Sequence, residues 1–110
     1  MAYQLTTIMT RPSTGVELPR ISDSHPAHDV VWRTKFEEAG VNKSYRWSDD
    51  ELVLTIVAES VDKASYDAVI ADLAEYPDEA ACMVVVKAAC IAADISVVIT
   101  DSEGTEFANF

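Results

Sequence analysis

Glycine is scarce in this chain of 110 residues: only Gly15, Gly40 and Gly104 occur. No pair of them sits at the spacing of a phosphate-cradling loop, so nucleotide binding through such a loop has no basis here. Basic residues are also few. Eight Lys and Arg face 19 Asp and Glu, for a net charge of −11. That balance argues against free binding to DNA or RNA, because phosphate contacts need cations. Cysteine is limited to Cys82 and Cys90. On one helix, eight positions separate them by about 12 Å, beyond the roughly 7 Å that a disulfide spans. Both are read as free thiols filling small apolar sites. Long hydrophobic runs are missing as well. The most apolar stretch, Ala80 to Ala93, is too short to cross a bilayer and contains Lys87. Met1-Ala2-Tyr3-Gln4 has neither the charged start nor the apolar run of a secretory signal. A soluble protein made in a reducing cytosol is expected, without a membrane partner.

About half the residues are apolar, enough for one small core, and the length suits a single domain over residues 1–110. The chain is organised around Ser44 to Ala58, which reads as a β-hairpin. Ser48-Asp49-Asp50 are turn residues whose short side chains bond nearby backbone. After the turn, Leu52, Leu54, Ile56 and Ala58 alternate with Val53, Thr55 and Val57, a period of two. Tyr3 to Thr10 reads as a first strand, stopped by Arg11-Pro12. Ile95, Val97 and Ile99 alternate with Ser96, Val98 and Thr100 in a last strand opened by Asp94.

Helical signals fill the gaps. His28, Trp32, Phe36 and Ala39 form one stripe over 26–39, with Pro26 in the first turn and Gly40 as a left-handed stop. Asp62 is a good N-cap, and Val61 with Tyr66 fits a hydrophobic staple. Tyr66, Val69, Ile70 and Leu73 then repeat as a buried face. Tyr76-Pro77 breaks that helix, and Asp78 and Glu79 open another. Met83-Val84-Val85-Val86 suits a buried strand, but repeated alanine and the lack of Gly or Pro favour a helix over 80–93. Such a helix is apolar nearly all round and requires cover on more than one side.

The resulting order is β-α-β-β-α-(α)-β. This is a ferredoxin-like α+β plan, with a four-stranded antiparallel sheet and helices on one face. Two segments stand outside it: a loop at about 11–24 and a C-terminal tail at about 102–110. Loops of that length are usually functional. Val16, Leu18 and Ile21 in the loop need an apolar cover, either the body of the domain or a second chain. Phe107 and Phe110 in the tail are expected to dock. Val53 and Val57 lie on the sheet face opposite Leu52, Leu54 and Ile56, so the second face is also apolar and needs a neighbour. Val16, Leu18, Ile21, Val53, Val57, Phe107 and Phe110 are therefore the candidate partner-binding residues.

No catalytic set emerges. His25 and His28 with Asp29 have no third metal ligand, and a helix start explains them better. Asp49-Asp50 and Glu37-Glu38 read as a turn and a solvated helix side, and nothing marks any serine as a nucleophile. The expectation is a protein with no catalytic residues, no cofactor and no metal. The weak charge of residues 1–48 beside the acidic remainder also suits association of complementary surfaces, or a stand-alone acidic module that binds a basic partner.

Two resemblances bear on role. The stretch from Trp47 to Thr55 with Ser65-Tyr66-Asp67-Ala68 resembles the dimeric α/β-barrel group that includes antibiotic-biosynthesis-type monooxygenases. That resemblance implies two sheets packed together and, in enzymatic members, a pocket of Asn, Trp and His. Asn42, Trp32 or Trp47, and His28 are the available residues of those types. Thr7-Ile8-Met9-Thr10-Arg11-Pro12-Ser13, with the Ser-Asp-Asp turn and Ser65-Tyr66-Asp67, looks like small virion proteins of tailed marine and cyanobacterial phages. It implies a non-enzymatic capsid-decoration, neck or tail component, made in the host cytoplasm. Such a component would contact copies of itself and other virion proteins.

Overall fold

Strand β1, Tyr3–Thr10, lies at the centre of the sheet. Its β-branched threonines and isoleucine favour extended backbone, and both of its edges are paired. On one side it runs antiparallel to β3, Val53–Ser60, from Tyr3 opposite Ser60 to Thr10 opposite Val53. On the other it meets β4, Ser96–Asp101, with Met9 opposite Val97 and Leu5 opposite Asp101. Strand β2, Asn42–Trp47, closes the β3 side. Strand β5, Glu106–Asn109, closes the β4 side. The computed structural model describes residues 2–19, 34–74 and 79–110. Among them, α1 covers helical residues 34–38, α2 is Lys63–Ala74 and α3 is Glu79–Ala92.

The sheet order is β2-β3-β1-β4-β5, all antiparallel. The expected four strands become five, because the C-terminal segment adds an edge strand instead of trailing as a tail. Reciprocal amide bonds between Val97 and Phe110, at 2.7 and 2.9 Å, close this extra pair. A register shift between Ile99 and Thr100 leaves Phe107 as the bulged residue of β5.

Local chemistry explains where the elements stop. In the β2–β3 turn, the Asp50 carboxylate accepts from the Ser48 hydroxyl at 2.5 Å and the Leu52 amide at 3.1 Å. These two bonds hold its pKa below the usual carboxylate value. At Gly40, φ is +73°; its amide bonds to Glu37 O, and the Val41 amide reaches back to Phe36 O. That is a Schellman stop. The same pattern ends α3, with Asp94 at φ +58° and the Ile95 amide on Cys90 O. Asp94 therefore closes a helix rather than opening β4. The Asp62 carboxylate accepts the Ser65 amide at 2.8 Å, the expected N-cap. The staple does not form. The Ser60 hydroxyl donates to Asp62 O at 2.7 Å and tightens the turn, and Val61 is 71% exposed.

The core lies in two parts, both on the helical side of the sheet. Tyr3, Phe36, Val41, Ala58, Tyr66 and Val69 form one. The Tyr3 and Tyr66 rings sit 5.2 Å apart, and Phe36 stacks on Tyr66 at 6.4 Å. Cys90, Ile95 and Val97 form the other. Leu5 packs on the first part and Met9 on the second. The segments of the predicted 26–39 helix before residue 34, including His28 and Trp32, lie outside the described residues, as does Ile21.

Candidate interaction surface

Alternation along each strand divides the sheet into two faces. Tyr3, Leu5 and Met9 point to the helices with their partners Ser60, Ala58 and Leu54. The intervening residues point the other way: Thr6, Ile8 and Thr10 on β1, Val53, Thr55 and Val57 on β3, and Ser96, Val98 and Thr100 on β4. No described helix or loop packs on this second face. Ile8, paired with Thr55 on one side and Val98 on the other, sits at its centre and is 38% exposed. Val53, Val57 and Val98 beside it are half-buried. The centre of this open face is thus neutral, made of aliphatic and threonine side chains, and its charges lie at the margins.

The other candidate partner-binding residues are distributed differently. Val16 and Leu18 pack on the Cys90–Ile95–Val97 core, so the loop folds back onto its own body. Arg11 anchors it: Nε donates to Glu51 O at 2.9 Å and an η-nitrogen to Val16 O at 3.1 Å. Phe110 joins the same core, with the Lys87 ammonium 5.2 Å from its ring centre. Phe107 stands exposed at the bulge. Among the described candidates, only Val53 and Val57 share the open sheet face.

Two features escaped the sequence reading. The Arg11 guanidinium stacks on Trp47 at 4.5 Å. Beside it opens a cavity of about 460 Å³ on the helical side, floored by Met9, Leu54 and Ile56 and walled by Tyr45 and Trp47. The exposed aromatics at alternate positions of β2 were its sequence signal. Arg11 and Glu17 are the charged side chains among its described lining residues. The second is which side of the all-apolar α3 stays uncovered: Val84, Val85 and Ile91 are exposed. A helix apolar on every side signals the need for cover plainly, but not which side the core takes.

A polar cluster closes the opposite end of the sheet. The Tyr3 hydroxyl donates to Asp101 Oδ2 at 2.7 Å, and the amides of Glu103 and Thr105 donate to Oδ1 at 3.0 and 2.8 Å. Burial pushes the Asp101 carboxyl up. The Tyr3 hydroxyl, those amides and nearby Lys63 outweigh it and hold the pKa below the ordinary value. Burial first, then the Asp101 carboxylate, raise the Tyr3 phenol. The cluster ties Tyr3 of β1 to the β4–β5 turn, with both Asp101 carboxylate oxygens bonded. Among the described residues no three His, Cys, Asp or Glu gather as metal ligands. No described helix is long and apolar enough to cross a membrane.

No family model and no curated protein sequence matches the chain. Among solved structures, a dimeric ferredoxin-like protein from an uncultured marine organism is similar. The likeness covers 91% of this chain and 92% of that one, with a TM-score of 0.57 at 15% identity. The fold is ferredoxin-like. Strand order β2-β3-β1-β4 with helices on one side carries that statement, and β5 is an addition at one edge.

Proposed function

We propose that this chain is a non-enzymatic structural component that works through protein–protein contact and self-associates by its open sheet face. The observation that carries the reading is Ile8 at the centre of that face, with Val53, Val57 and Val98 around it and no described element over them. An apolar surface of this kind gains free energy when a second surface excludes water from it. The dimeric state of the structural neighbour supports the same reading. The short resemblance of Thr7 to Ser13, the hairpin turn and Ser65-Tyr66-Asp67 to virion proteins of tailed phages supplies the setting. In that setting the chain joins copies of itself and other virion proteins. Light scattering of the purified protein tests the association. A mass of two chains or more is expected, and 12.0 kDa at every concentration contradicts it.

The cavity beside Trp47 favours a second reading, a small-molecule site of the monooxygenase-like type. Its volume falls within the range of ligand pockets, and Trp47 is one of the tryptophans that resemblance names. Turnover of a bound aromatic or haem substrate that is lost in Trp47→Ala and His28→Ala would favour it over the structural role.

A further inference from the structure

The charges on the open sheet face are few and unequally placed. Among the strands, only Arg46, Glu59 and Glu106 present charge there. Glu59 is engaged by the Gln4 amide at 2.5 Å, at the end row of the sheet. Arg46 lies on β2, one edge strand, and Glu106 on β5, the other. Both side chains are exposed, and no carboxylate among the described residues pairs with Arg46. Four strand spacings, about 19 Å, separate the two edges, so the cation and the anion of one chain cannot meet.

A second copy changes that. An isologous pair places the same face against itself about a two-fold axis lying between the sheets. If the axis crosses the strands, β2 lies over β2 of the partner. Arg46 then approaches a second Arg46, and Glu106 a second Glu106. If the axis runs along the strands, β2 lies over β5 of the partner and unlike charges meet at both edges. The register supports this arrangement. Arg46, Thr55, Ile8, Val98 and Asn109 form one row across the sheet. Ser44, Val57, Thr6, Thr100 and Glu106 form the next. Arg46 and Glu106 are thus offset by one row, about 7 Å along the strand. An extended arginine spans that offset across sheets packed roughly 10 Å apart.

Resting on the self-association proposed above, we infer that the two copies dock with their two-fold axis parallel to β1. Each Arg46 then pairs with Glu106 of the partner subunit, and Ile8 meets its own symmetry mate at the centre. The pairing acts on orientation and specificity, while the neutral centre supplies the burial.

Charge reversal tests the axis separately from association. Arg46→Glu and Glu106→Arg are each expected to weaken dimerisation about tenfold in sedimentation equilibrium at low salt, and the double reversal to restore it. Circular dichroism of each variant checks that these exposed edge positions still fold. If the wild type dimerises but neither reversal weakens it, or the double variant does not recover, the strand-parallel axis is wrong and association by this face stands. If Arg46→Glu alone tightens the dimer, the two arginines face each other and the axis crosses the strands. If the wild type is monomeric throughout, the association reading fails and this inference with it.

Discussion

The two faces of one sheet are built from the same strands yet do opposite work. Toward the helices, Tyr3, Leu5 and Met9 alternate into aromatic and aliphatic cores, and neighbours such as Ala58 and Val97 are buried. Toward the open side, Thr6, Ile8 and Thr10 alternate with them, and no described element covers them. A one-residue slip would exchange the faces, so the buried face alone specifies the register. The open face is then free to carry another property. Its threonines are compatible with water, and its aliphatics are what a partner would cover under the proposed self-association. The lesson is that the residues that build the core and the residues that stay open alternate on the same strands, so stability and the proposed association can be changed separately.

Substitutions on the two faces sharpen that separation. The largest effect is expected on the helical side. Tyr66 is buried and packs against both Tyr3 and Phe36, so Tyr66→Ala should cost about 3–5 kcal/mol in chemical denaturation. Next comes the stop that hands α1 to the sheet. Gly40 sits at φ +73° with nothing within 4 Å of an added Cβ. Gly40→Ala should therefore cost about 1 kcal/mol from backbone strain alone, read from the same curves.

The Tyr3–Asp101 contact gives a pH-dependent effect. A carboxyl held below its unfolded pKa adds stability that is present above about pH 4 and drains as pH falls through the folded value. Tyr3→Phe removes one of the bonds that lower it. The melting-temperature gap between wild type and variant should be widest near neutral pH and narrow in acid. The smallest effect belongs to the open face. Ile8→Thr, measured where the chain is monomeric, should shift stability by no more than about 0.5 kcal/mol. A large loss there would mean that Ile8 supports the core and would erase the distinction between the faces.

Much of this architecture was legible in local patterns. The hairpin followed from alternation on either side of a Ser-Asp-Asp turn, α2 from its Asp62 cap and the spacing of Tyr66, Val69 and Ile70, and the end of α1 from Gly40. What escaped depends on distant contacts. Strand β5 has only four residues and no alternating apolar run, and it exists because β4 offers it an edge. Val61 matched a staple by spacing, but a side-chain bond from Ser60 turned it outward. Val16 and Leu18 were apolar residues needing cover, and Arg11, held by Glu51 O across the turn, decided that the cover is their own domain. For the open face, Val53 and Val57 were readable from alternation, whereas Arg46 and Glu106 at opposite edges required the strand order.

Central to this account is that the open face is an association surface and plays little part in the core. The most direct test is the solution mass of Ile8→Asp beside the wild type over a wide concentration range. The account predicts a wild type of two chains or more and a folded Ile8→Asp at the mass of one chain, with unchanged circular dichroism. An Ile8→Asp variant that associates as the wild type does would contradict it.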